Sequence, residues 1–128
     1  MPIRTVHSDR APKAIGPYAQ ATIANGFLFT AGQIALDPAT MNVVDGDVAA
    51  QTRRVLANLA GVLAAAGCTW ADVTKTTCFL RTMADFAAMN EVYAAVLGEA
   101  RPARSTVAAA GLPRDVLVEI ELVAALPG

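Results

Sequence analysis

The chain has 128 residues, ten Lys and Arg against eleven Asp and Glu, a net charge of -1, and side chains that are 55% apolar but only 5% aromatic. This describes a single domain over residues 1–128, large enough to bury about two-thirds of its unfolded surface, and its scattered cations exclude the electrostatic footprint of a nucleic-acid binder. His7 is the only histidine, which excludes histidine metal triads and the usual histidine-activated serine or cysteine nucleophiles.

Ile3 to His7 alternates weakly and predicts an edge strand, after which Ala11-Pro12 and Gly16-Pro17 break regular structure and deliver Tyr18. Ala19–Ile23 and Phe27–Ala31 flank Asn25-Gly26, a pair suited to two positive φ angles, so a hairpin is predicted there. Gly32-Gln33 ends its second strand, and Asp37-Pro38 and Asp45-Gly46 mark a long surface connection with a further turn.

Asp47 is placed to cap a helix whose apolar positions Val48, Thr52, Val55, Leu56, Leu59, Leu63 and Ala66 recur until Gly67. Gly61 inside it costs about 1 kcal/mol against alanine. The uncharged run Val55 to Ala71 is interrupted by Asn58, Gly61 and Gly67 and falls short of the roughly 20 apolar residues of a bilayer span, so no membrane partner is expected. Met1 to Tyr18 carries Arg4, Asp9, Arg10 and Lys13 and no continuous apolar core, so a cytoplasmic location is expected. Cys68 and Cys78 have no metal-ligand or redox spacing and read as packing thiols.

Thr69 to Asp72 predicts a short capped turn with Trp70 as a packing residue, and Val73 to Arg81 is a β-branched strand. Thr82 and Asp85 form a reduced capping box ahead of a second helix that buries Phe86, Met89, Tyr93 and Val96 or Leu97 and stops at Gly98. Two strands then follow, one opening at Arg104 after Pro102 and one over Val116–Leu122, joined by a turn at Gly111–Asp115. Facing each other across that turn, they would bring Arg104 near a carboxylate. In the last strand Glu119 and Glu121 share one face and Val118, Ile120 and Leu122 the other, a pattern that solvent exposure alone can produce.

The predicted architecture is α+β, a two-layer sandwich with two helices on one face of a mostly antiparallel or mixed sheet. Its other sheet face is left uncovered, and the high apolar fraction favours an oligomer.

Arg104-Ser105-Thr106-Val107, Leu112-Pro113-Arg114-Asp115 and Val118-Glu119-Ile120-Glu121 resemble the C-terminal signature of the RidA family, also called YjgF. The resemblance extends to Ala14-Ile15-Gly16-Pro17-Tyr18, Thr30-Ala31-Gly32-Gln33, Lys75-Thr76-Thr77, and Asn90 with Tyr93, in the family's order and over nearly the whole chain. It implies a chorismate-mutase-like fold assembled as a barrel-like homotrimer with ligand clefts between subunits. It also implies cofactor-free and metal-free hydrolysis of 2-imino or enamino acids, such as 2-iminobutanoate and 2-iminopropanoate, to 2-keto acids and ammonia. Carried over by position, Arg104 binds the substrate carboxylate and Glu119 orients the water, while Tyr18, Asn90 and Gly32 match cleft positions. Two residues depart from the common pattern: Ala31 stands where many relatives have serine, and Thr106 where many have cysteine. Both put substrate preference, rather than the chemistry, in question.

An arginine fork suits a carboxylate better than a lysine does, and a positioned carboxylate can take a proton from water as it adds to an imine carbon. The competing enzymatic reading is deamination of a dedicated catabolic intermediate of aminomuconate or aminoacrylate type. A non-enzymatic trimer that binds a 2-keto acid at Arg104 is the other, and ribonuclease activity, attributed to some relatives, ranks last.

Overall fold

The computed structural model describes residues 2–128. Six strands form one mixed sheet in the order β1-β2-β3-β6-β4-β5. They are β1 (Arg4–Val6), β2 (Ala21–Ala24), β3 (Phe27–Thr30), β4 (Val73–Leu80), β5 (Ala103–Ala108) and β6 (Val118–Ala125). Helices α1 (Val48–Ala65) and α2 (Phe86–Leu97) cover one face. The β2–β3 hairpin turns on Asn25 and Gly26 at φ 52° and 81°, the twist-matched turn that this dipeptide favours.

Asp47 caps α1 by accepting from the Ala50 amide at 3.0 Å, and Gly67 follows its end at φ 76°. Thr82 accepts from the Ala84 amide, but it caps a 3-10 turn at Met83–Asp85 ahead of α2 rather than the helix itself. In α2 the buried positions are Met89, Val92, Tyr93 and Leu97, with Val96 left exposed. Gly61 has a reason its helix propensity does not supply: a Cβ there would sit 2.7 Å from that of Arg10, so the N-terminal segment packs directly on the helix backbone.

The last two strands differ from the sequence expectation. β5 and β6 do not face each other, because β4 lies between them, parallel to β5 and antiparallel to β6. Neighbourhood in sequence suggested a hairpin, but β4 and β6, eight residues each, alternate buried and less buried positions and pair with each other over most of their length. β5, which has no fully buried position, takes the edge, where partial exposure costs least. Its pairing begins at Ala103, one residue before the expected start at Arg104.

One sheet face supplies Leu28, Cys78, Leu80, Val118, Ile120 and Leu122 to the core under the helices, all at most 2% exposed. The other face is bare in the single chain and displays Phe27, Phe29 and Val107. No helix of the described residues is long and apolar enough to cross a membrane. Both cysteines are free and buried. Burial, and then the nearby Asp72 carboxylate, pushes the Cys68 thiol up, and burial pushes Cys78 up to about 11. The native chain should therefore react slowly with a thiol reagent near neutral pH, and the unfolded chain rapidly at both positions. Fast labelling of the folded protein would contradict this packing.

Candidate functional site

Arg104 stands on the edge strand in register with Thr76 of β4, so its side chain leaves the sheet on the helix-covered face. There α2 supplies a seat for it. The Nη1 group donates to Oδ1 of Asn90 at 2.7 Å, and the guanidinium carbon lies 4.7 Å from the Tyr93 ring centre and 5.5 Å from that of Phe86. Tyr93 is fixed in turn by a 2.7 Å hydrogen bond between its hydroxyl and that of buried Thr76. Among the described residues no lysine or arginine lies within ion-pair reach of a carboxylate, so Arg104 has no carboxylate partner. It borders a cleft of about 410 Å³ whose walls include Asn90, Tyr93, Arg101 and Pro102. Thr106 lies two residues along on the same face, beside Cys78, and its buried hydroxyl has no hydrogen-bond partner.

Glu119 leaves β6 on the other face, in register with Phe79. Its carboxyl is half-buried, and burial first, then the charge of Glu121, holds it above the usual carboxylate range. It lines a second cavity of about 250 Å³ together with Pro12, Tyr18, Gly32, Ile34 and Pro113. Gly32 leaves room for that carboxyl: a Cβ there would overlap Oε2 of Glu119 and fall 2.9 Å from its Cδ, so the flexible side chain would have to swing away. Replacing Gly32 by alanine should push the carboxyl aside. The thermal midpoint should stay nearly unchanged while the Glu119 titration departs from the parent's; a Gly32→Ala chain whose Glu119 titrates as in the parent would show that the close approach does not place the carboxyl.

The structure thus sorts the sequence-derived residues into two groups. Tyr18, Gly32 and Glu119 gather in one cavity, with Ala31 flanking Gly32, and Arg104, Asn90 and Thr106 gather across the sheet on the opposite face. Arg104 and Glu119 do not meet within one chain. From the sequence Phe86 reads as a core residue alone, and Tyr93 as core and as Asn90's companion in the family pattern, yet the two form the arginine's aromatic seat. Their spacing with Asn90, at 86, 90 and 93, was a legible sign of one shared helix face. Lys13 and Arg114, which border the Glu119 cavity, were not singled out as site residues; Arg114 sits in left-handed backbone at φ 55° and donates to the Met41 carbonyl at 2.9 Å.

Fold and site together define a small α+β domain with an unpaired arginine and a shielded carboxylate, and the comparisons with known proteins give it a family. The family model described as Endoribonuclease L-PSP matches residues 8–126. A RutC family protein of Synechocystis is 55% identical, with 99% of each chain covered. YyfA of Yersinia pestis, a member of the Rid family, superposes with a TM-score of 0.94 at 41% identity, covering 97% of this chain and 99% of its own. The TdcF protein of E. coli, in a structure with bound serine, superposes with a TM-score of 0.90 at 40% identity, covering 95% and 98%. The chain belongs to the RidA/YjgF/RutC family.

Proposed function

We propose that this protein hydrolyses 2-imino acids to 2-keto acids and ammonia in a site shared by two subunits of a homotrimer. Arg104 of one subunit holds the substrate carboxylate, and Glu119 of the next, with Tyr18 and Gly32, faces the imine carbon. The observation that carries this reading is the arginine braced by Asn90 and Tyr93 with no carboxylate to neutralise it. A guanidinium held this way is prepared for a ligand anion, since its own orientation needs no further ordering. The bare sheet face with Phe27, Phe29 and Val107 at 42%, 44% and 47% exposure supports assembly through that face. Serine in the TdcF structure supports a small ligand that bears a carboxylate.

In the proposed reaction Glu119 accepts a proton from water while the water oxygen bonds to the carbon of a protonated imine. Glu119 then returns its proton to the carbinolamine nitrogen, the C–N bond breaks, and the carbinol hydroxyl gives up its proton as the keto group forms, so that nitrogen leaves with both protons as ammonium and Glu119 is ionised again. A protonated imine is already electrophilic, so orientation and one base suffice. Thr106, two residues along β5 from the arginine and on the same face, is the residue proposed to bias substrate preference.

The test is purified protein added to a threonine dehydratase reaction, following imine decay. Faster decay supports the reading, and an unchanged rate across 2-imino acids opposes it. The Arg104 cluster is complete within one chain, which favours one alternative, a 2-keto-acid-binding protein without catalysis. That alternative predicts keto-acid binding with no acceleration of imine decay.

A further inference from the structure

The cavity around Glu119 has walls that are largely irregular backbone. They come from the N-terminal segment through Pro12, the segment after β3 with Gly32, Ile34 and Leu36, and the turn at Pro113 and Arg114 before β6. Each of these segments is tied to the interior by one buried side-chain amide. Gln20, 2% exposed, donates to the carbonyls of Ser8, Ala11 and Pro12 at 3.1, 3.3 and 2.8 Å and accepts from the Ser8 amide. Asn58 of α1, fully buried, donates to the carbonyls of Ile34 and Leu36 at 3.3 and 3.0 Å, while its oxygen accepts from Nε of Arg54. Gln51, two turns earlier on the same helix and 6% exposed, accepts from the Leu117 amide at 2.8 Å.

Buried amides are costly unless paired, and a helix whose apolar face packs the core would be served better there by leucine. Here Gln20 and Asn58 bond the backbone of the wall residues Pro12, Ile34 and Leu36, and Gln51 bonds Leu117, just past the turn that carries Pro113 and Arg114. We infer that Gln20, in the wall of the Glu119 cavity, and Gln51 and Asn58, behind that wall, are positioning residues that set the distance between the cavity's walls and so the placement of the carboxyl. Two of the three stand on α1, so the helix that packs the core also holds the site in register.

Part of this inference rests on the reading of Glu119 as the base, and the experiment separates the two. Asn58→Leu, Gln51→Leu and Gln20→Leu are compared with Leu63→Ala, a core truncation at the end of the same helix that removes none of these hydrogen bonds. Thermal midpoints, kcat and KM for imine hydrolysis, and the titration of Glu119 followed by carbon-13 NMR are measured on each. The charged groups bordering that carboxyl are Glu121 on its own strand, Lys13 and Arg114. Each amide variant should lower kcat/KM by roughly tenfold to a hundredfold, the range of a misplacement near 1 Å. It should also let the Glu119 titration relax toward the ordinary carboxylate range as water enters. Leu63→Ala should lose stability with both readouts unchanged.

A parent protein without hydrolysis would sink the deaminase reading, and the NMR titration would still decide the positioning role. Should one variant fail to fold, the other two carry the test. Amide variants that lose stability like Leu63→Ala but keep the parent's Glu119 titration and kcat/KM would overturn the inference.

Discussion

Glu119→Gln should slow imine hydrolysis by roughly 10²-fold or more, the loss expected for a positioned proton acceptor, while 2-ketobutyrate binding is retained. The same change should leave the chain at least as stable at neutral pH. Burial raises the carboxyl's affinity for its proton in the folded state, so the folded chain holds that proton where the unfolded chain has released it. Stability therefore falls as pH rises from the unfolded value through the raised folded one, and glutamine removes that cost. Activity runs the other way, since only the ionised carboxylate can accept a proton, and the acid limb of the parent's rate profile should sit above the ordinary carboxylate range. Equal rates for parent and variant in the coupled dehydratase assay would reduce Glu119 to a strand residue and favour the binding-protein reading.

Arg104→Ala should abolish both 2-keto acid binding and hydrolysis, because it removes the fork that pairs with the carboxylate and leaves that anion unpaired in the cleft. A drop of roughly 10²-fold or more in affinity is expected for losing one partner of a shielded charge pair. Arg104→Lys should recover little, since an ammonium keeps the charge but not the two parallel hydrogen bonds or the stacking on Tyr93. Calorimetry with 2-ketobutyrate on both variants reads this directly. Full affinity in Arg104→Lys would show that charge alone suffices.

Arg104 and Glu119 stand on opposite faces of one sheet, and that was the part of the candidate site least legible in the sequence. Strand alternation placed Glu119 with Glu121 and away from Ile120 correctly, since a period of two is a local property. The order of strands is not local. Arg104 and Glu119 looked like partners across a turn until β4 came between them, and no residue between 108 and 118 announces that crossing. Local signals held where the backbone itself demands a residue type, as at Asn25-Gly26, Asp47 and Gly67. They fell silent where a side chain serves a distant segment. Asn58 and Gly61 read only as interruptions of an apolar run, yet one holds the carbonyls of Ile34 and Leu36 and the other admits the backbone at Arg10.

In the proposed site the arginine and the glutamate come from different chains. The most direct test coexpresses Arg104→Ala and Glu119→Gln chains in equal amounts and measures imine hydrolysis by the mixed assemblies. Each variant alone should be nearly inactive. In a ring of three with head-to-tail contacts, random assortment pairs an intact arginine with an intact glutamate in about one site in four, so the mixture should recover roughly a quarter of the parent activity. A mixture as inactive as its two components, with mixed assemblies demonstrated by mass spectrometry, would contradict a shared site.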